Sequence, residues 1–200
     1  MKYGLINSAD KAALEETIDL IFRNTDSDVI NITEVGIFDG DTARGIKAYV
    51  ESKGKKVNYT CIDNNHDFEV KKPFDECNFI LGNSNEVYNK IEDNSQHLIF
   101  IDALHTYSAV VSDFMCYSNK VKDGFFIAFH DTSPEIKPFT DYQRVGSEDD
   151  ADQYIAVRKA LTALNIEGNV LVNSRWYIVK DCFDPQDRAG GTTVYARIKI

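Results

Sequence analysis

Paired cysteines are missing from this sequence. Cys61, Cys77, Cys116 and Cys182 stand far apart with no Cys-x-x-Cys among them, which argues against a thiolate zinc site and a disulfide framework and reads as reduced, mostly buried thiols. Long apolar runs are missing as well. Nothing approaches the ~18 apolar residues of a membrane helix, and Met1-Lys2-Tyr3-Gly4-Leu5-Ile6-Asn7 is too polar for a secretory leader. The expectation is a cytoplasmic protein with no membrane partner. Basic charge is scarce: 22 Lys plus Arg face 32 Asp plus Glu, for a net charge of -10. The basic residues are scattered, so the surface repels phosphate backbones and no nucleic-acid partner is expected.

What is present suits one globular domain over residues 1–200, with 43% hydrophobic and 27% charged residues and no repeat, linker or low-complexity tract. Ser8 and Asp10 ahead of Leu14, Ile18, Ile21 and Phe22 predict a capped helix over 8–23 whose role is packing. A strand over 28–35, a glycine turn, a helix from Thr42 to Val50 and a strand over 57–63 form a β-α-β unit. Asn78 to Gly82 reads as a short strand, and Ser84 as the cap of a helix over Val87, Tyr88 and Ile91. Two further strands, Leu98–Ile101 and Phe125–Phe129, flank a helix over 107–117 marked by Val110, Val111, Phe114 and Tyr117. Residues 133–152, with Pro134, Pro138 and the acids Glu148, Asp149 and Asp150, form a long loop without periodicity; Tyr142 and Arg144 within it are candidates to reach a substrate. A helix over 152–164 follows. Val170–Val172, Arg175–Lys180 and Thr192–Ile200 then read as antiparallel edge strands completing the sheet. The expected fold is α/β, a Rossmann-like seven-stranded mixed sheet with helices on both faces and antiparallel C-terminal strands.

Chemistry concentrates at strand ends. Ile101-Asp102-Ala103-Leu104-His105 and Phe129-His130-Asp131 each finish an apolar run on an Asp with a His within three residues. In open α/β sheets ligands bind beyond the carboxyl ends of the strands, so both ends belong to one crevice if the strands are parallel neighbours. The other side of that crevice is Glu34-Val35-Gly36-Ile37-Phe38-Asp39-Gly40, whose two glycines fall short of the three of a dinucleotide fingerprint. Glu34 would repel a pyrophosphate and favour a cationic ligand such as a sulfonium. Asp63, closing the second strand, suits ribose hydroxyls. A nucleoside-type ligand follows, and a nicotinamide oxidoreductase is disfavoured. Asp39 and Asp41 read as surface acids.

Taken together, Glu34 to Thr42, Ile62-Asp63, Gly82-Asn83-Ser84, Ile101 to Tyr107 and Phe129-His130-Asp131-Thr132 resemble the class I S-adenosylmethionine-dependent methyltransferases. The likeness is strongest to the family 24 branch, which includes metal-dependent sugar O-methyltransferases of the macrocin type. This resemblance, over residues 29–181, implies that Glu34, Gly36, Phe38 and Gly40 line the methionine end of S-adenosyl-L-methionine. It implies further that Asp63 holds the ribose, that Asn83 and Ser84 lie near the adenine, and that Asp102 serves catalysis as well as cofactor and metal. Asp102 and Asp131 would ligate Mg²⁺ or another divalent cation, and His105 would be the base. Two positions depart from the pattern: Leu104 stands where relatives often carry a carboxylate, and His130 where metal-dependent relatives tend to carry an acid or amide. A sugar hydroxyl is a very weak acid for a neutral imidazole to deprotonate, and a bound cation on oxygen ligands would ease that step. The expected activity is O-methylation of a small-molecule hydroxyl, sugar-like or phenolic. A metal-independent methyltransferase acting on nitrogen or another acceptor and a non-catalytic nucleoside-binding protein are the alternatives. Whether the chain forms a homo-oligomer stays open.

Overall fold

The run Leu98-Ile99-Phe100-Ile101 closes β4 (Gln96–Ile101), a strand buried along its whole length, as a strand covered on both faces must be. It lies at the middle of the sheet. The computed structural model describes residues 6–65, 72–134, 156–166, 174–184 and 190–199. Within them seven strands, β1 (Val29–Val35), β2 (Lys56–Asp63), β3 (Asn78–Leu81), β4, β5 (Val121–Phe129), β6 (Ser174–Cys182) and β7 (Thr192–Lys199), pair in the order β3-β2-β1-β4-β5-β7-β6. The first five are parallel, while β7 runs antiparallel to both β5 and β6. β7 is therefore interior, not an edge strand; its Val194, Tyr195 and Ala196 are buried.

The described helices are α1 (Ser8–Asn24), α2 (Asp41–Ser52), the single turn α3 (Ser84–Val87), α4 (Tyr107–Tyr117) and α5 (Val157–Leu164). From β1 the chain moves toward β2 through α2, and from β4 it moves the opposite way toward β5 through α4. Right-handed crossovers place those two helices on opposite faces. α1 packs beside α2 and against β5, β6 and β7, while α4 packs beside α3 and α5. The direction of winding reverses between β1 and β4, which makes the carboxyl ends of these two strands the crevice of the sheet.

Several boundaries differ from the sequence reading. The cap of α1 is Asn7, not Ser8: its side-chain oxygen accepts from the N–H groups of Ala9 and Asp10 at 2.8 and 2.9 Å. Ser84 does not cap a full helix. One α turn gives way to a 3₁₀ turn at Tyr88–Lys90, and the Ser84 hydroxyl points to Asp113 instead. β5 begins at Val121, ahead of the expected Phe125, because Val121 pairs with Gln96 across a register shift that the polar Lys122-Asp123-Gly124 conceals. The segments 135–155 and 167–173, and with them Tyr142, Arg144, the acids 148–150, the strand expected at 170–172 and the first residues of the helix expected over 152–164, lie outside the described residues.

Candidate active site at the carboxyl ends of the central strands

The backbone joins the strand ends before any side chain does. Gly36 N–H donates to Ile62 carbonyl at 2.8 Å, Asp102 N–H to Val35 carbonyl at 2.9 Å, and His130 N–H to Ile101 carbonyl at 3.0 Å. The residue after β1, β4 and β5 is thus held level with its neighbour. Gly36, at φ 82°, lies so close to β4 that a Cβ there would come 2.2 Å from the Asp102 carbonyl oxygen. A Cβ at Gly40, at φ 73°, would meet the Pro73 ring at 2.8 Å. Both glycines are required by contact with their own chain, a reason distinct from the close ligand approach anticipated for them.

Glu34 departs from the expectation that it lines the crevice. Only 1% exposed, its carboxyl lies inside the sheet and accepts from the Tyr59 hydroxyl at 2.6 Å. Burial raises its pKa well above the usual carboxylate range, against the opposing Tyr59 hydrogen bond, with the charges of Asp102 and Asp63 adding to the rise. Phe38, by contrast, is 63% exposed and adopts φ 45°, an unusual conformation for an aromatic residue. Asp63 stands at the tip of β2 with one carboxyl oxygen on Ile37 N–H at 2.9 Å and the other on Asn65 N–H at 2.8 Å. Those bonds fix its orientation, and each oxygen keeps a further acceptor site. Asn83 is exposed and accepts from Asn64 at 3.2 Å. Behind it, Ser84 donates to Asp113 at 2.5 Å and its carbonyl accepts from the Tyr117 hydroxyl at 2.9 Å. Burial lifts the Asp113 carboxyl to about 6, in spite of the Ser84 hydrogen bond.

Across the crevice, Asp102, His105 and Asp131 converge, with one donor atom from each lying within 4.8 Å of the others. His105 Nε2 is 3.1 Å from Asp102 Oδ1 and 3.2 Å from Asp131 Oδ2. Thr106 sets the ring's approach by capping α4, its side chain accepting from Ala109 N–H at 3.4 Å. His130 adds a second ring to the cluster, with Nδ1 at 3.1 Å from Asp102 Oδ1 and 3.6 Å from Asp131 Oδ1. Burial opposes charge on Asp102, His105 and His130. For Asp102 that effect is overcome by His130 and His105, which hold its carboxyl far below the ordinary range. The same pairing raises both histidines: His105 through Asp102 and Asp131, and His130, more strongly, through Asp102 and Asp10.

The two carboxylates offer the oxygen donors that a hard divalent cation takes, and His105 Nε2, 3.1 Å from Asp102 Oδ1 and 3.2 Å from Asp131 Oδ2, stands beside them. The residues fit such an ion. The described ends of the segment 135–155 also meet at this cluster. Asp131 and Thr132 lead into it, and on return Ala156 N–H donates to the His105 carbonyl at 2.8 Å.

A methyltransferase-domain family, number 24 of its series, has a model that matches residues 33–132 of this chain. That span runs from β1 through the end of β5. The chain belongs to this family, and with it to the S-adenosylmethionine-dependent methyltransferases. Among curated proteins none matches it in sequence. Solved structures share the fold. A Corynebacterium glutamicum protein aligns with a TM-score of 0.61 at 12% identity, over 98% of this chain and 84% of its own. The MycE methyltransferase of the mycinamycin biosynthetic pathway, in complex with Mg and S-adenosylhomocysteine, aligns with a TM-score of 0.58 at 16% identity, over 91% of this chain and 48% of its own. Fibrillarin from Aeropyrum pernix, with natively bound S-adenosyl-L-methionine, gives a TM-score of 0.53 at 12% identity, over 90% and 74%. No described helix is long and apolar enough to cross a membrane.

Three groups at the site carried no functional signal in the sequence. Asp10 reads as an N-terminal helix acid, Gly190 as a turn residue and Thr192 as the start of a strand, yet Gly190 N–H donates to Asp131 Oδ1 at 2.9 Å and Asp10 bonds both Thr192 and His130. Sequence separation hides them, since each meets the cluster only through the packing of α1 and β7 on β5.

Proposed function

We propose that the protein transfers the methyl group of S-adenosylmethionine to a hydroxyl of a small molecule, sugar-like or phenolic, with a divalent cation held by Asp102 and Asp131. The observation that carries this reading is the Asp102–His105–Asp131 cluster, set at the carboxyl ends of β4 and β5 across the winding reversal from Gly36 and Asp63. On the donor side, Asp63 accepts the ribose hydroxyls while Gly36, Phe38 and Gly40 shape the turn beside the methionine end and Asn83 and Ser84 border the adenine. Glu34, buried against Tyr59, supports that turn from beneath. On the acceptor side, the substrate hydroxyl meets the Asp102–His105–Asp131 cluster. In-line transfer from sulfur to oxygen gains most from alignment, and the level strand ends supply a rigid frame for it. His105 takes the hydroxyl proton on Nε2. When bound, the cation lowers the hydroxyl pKa and offsets the grip of the two carboxylates on the His105 proton.

A second reading, without metal, draws on a specific observation: His105 and His130 already face Asp102 and Asp131 and can balance their charge unaided. One set of measurements separates the two. Calorimetry with S-adenosylmethionine checks the donor, and absence of binding would sink both readings. A panel of sugar, phenol and amine acceptors is then assayed before and after chelation with EDTA. Turnover on hydroxyl acceptors that disappears with EDTA and returns with Mg²⁺ or Mn²⁺ is the expected result. Unchanged turnover selects the metal-free reading.

A further inference from the structure

Asp10 is a carboxyl without exposure on a helix whose neighbouring buried residues, Ala13 and Leu14, are apolar. As the third residue of a capping box it has a local duty, accepting from Asn7 N–H at 3.3 Å. A capping acid ordinarily does this from the surface, where the charge remains hydrated; full burial of a carboxyl is costly unless further partners repay it. Here the partners come from two other elements. Asp10 Oδ1 accepts from the Thr192 hydroxyl of β7 at 2.8 Å, and Oδ2 lies 3.2 Å from His130 Nε2 beyond the end of β5. His130, itself buried, spans the gap, because its Nδ1 lies 3.1 Å from Asp102 Oδ1. The room around this line of groups is closed by Gly190, where a Cβ would fall 2.9 Å from Asp10 Oδ2 and 2.9 Å from Asn7 Nδ2.

We propose that Asp10 is a positioning residue for the acceptor side of the site: it anchors His130 by Nε2, and His130 in turn fixes the orientation of the Asp102 carboxyl. His130 is then not a metal ligand replaced by a histidine but a strut between the N-terminal helix and the cluster. The assignment deepens the proposed function and rests on it for the role of Asp102. An imidazole held at both nitrogens has a fixed ring plane, and removing either anchor lets the ring rotate about χ2. Groups that orient a ligating carboxyl in this way typically govern metal affinity by 10–100-fold.

The test uses Mn²⁺ as the metal probe, S-adenosylhomocysteine as the cofactor probe, and low-field ¹H NMR for the imidazole N–H proton between His130 and Asp102. The proteins compared are wild type, Asp10→Ala, His130→Gln, their double variant, the conservative Asp10→Glu, and Ile18→Val as a destabilised α1 control that touches none of the three groups. Expected are a loss of Mn²⁺ affinity of about tenfold or more in Asp10→Ala and in His130→Gln, no further loss in the double variant, partial recovery in Asp10→Glu, and wild-type Mn²⁺ affinity in Ile18→Val. S-adenosylhomocysteine affinity should stay within about twofold throughout, and the low-field proton should vanish in Asp10→Ala. Mn²⁺ affinity and low-field proton both unchanged in Asp10→Ala overturn the proposal, as does an equal weakening of Mn²⁺ in the Ile18→Val control. If wild type itself binds no Mn²⁺, the metal part of the proposed function fails, and the positioning role is decided by the proton alone: lost in Asp10→Ala it stands, retained it falls.

Discussion

Two residues carry opposite lessons about what a sequence discloses. Gly36 announces itself, and the structure adds that a Cβ there would meet the Asp102 carbonyl at 2.2 Å while φ stands at 82°. Gly36→Ala therefore combines backbone strain with overpacking, each worth roughly 1–3 kcal/mol. A loss of about 3 kcal/mol in urea unfolding is expected, and an unchanged midpoint would contradict the contact. Asp113 announces nothing, being one acid on a helix face, yet it is buried and its carboxyl titrates at about 6, above the ordinary 3.8. A folded pKa above the unfolded one means that this group's contribution is fully present below about pH 4 and is lost as the pH rises through 6. Asp113→Asn removes the titration. Its stability relative to wild type should rise between pH 4 and 7 by on the order of 2–3 kcal/mol and then level off, which thermal melts across that range would reveal. Asp102, His105 and Asp131 were legible because two apolar runs end on them. Glu34 was misread because its position next to the turn suggests exposure, whereas the end of β1 is buried on both faces and the Glu34 carboxyl is taken up by the Tyr59 hydroxyl.

At the scale of elements, periodicity located the helices and strands and left their ends uncertain by a few residues. Asn7 and Ser8 are both good capping residues, and sequence preference cannot rank them; backbone geometry did, with Asn7 extended at φ -80° and ψ 179° and its side chain on two N–H groups. Asn7→Ala should cost about 1 kcal/mol of stability, while Ser8→Ala should cost a few tenths at most, a contrast that paired denaturation curves would resolve. α1 was expected only to pack. Its first turn in fact carries Asp10 to His130, a connection across the chain that no local pattern encodes. The single turn α3 shows the reverse case, where a capping-competent Ser84 is drawn away by Asp113 on α4. Tertiary partners decide such ends.

At the scale of the molecule, alternation of strand and helix was enough to expect five parallel strands and an antiparallel finish. The order at the finish was not legible, because β6 and β7 are both amphipathic and either could neighbour β5. The structure puts β7 between β5 and β6. Hydrogen exchange should follow: amides in the middle of β7, such as Tyr195 and Ala196, which lie between β5 and β6, are expected among the slowest together with those of β4, and those on the outer edge of β6 to exchange orders of magnitude sooner. Equal protection of β6 and β7 would contradict the order.

That insertion also sets a timetable. β6 leaves the ribosome before β7, and among the described strands it pairs only with β7. Until the residues after 190 emerge, β5 and β6 both lack β7, the described strand that lies between them, and Asp131 lacks the Gly190 N–H that steadies it. The donor half, β1 to β3, can assemble while the chain is still being made. The other half waits for β7, so a nascent chain halted before residue 190 should already bind S-adenosylhomocysteine yet hold the Asp102–His105–Asp131 cluster without its Gly190 contact.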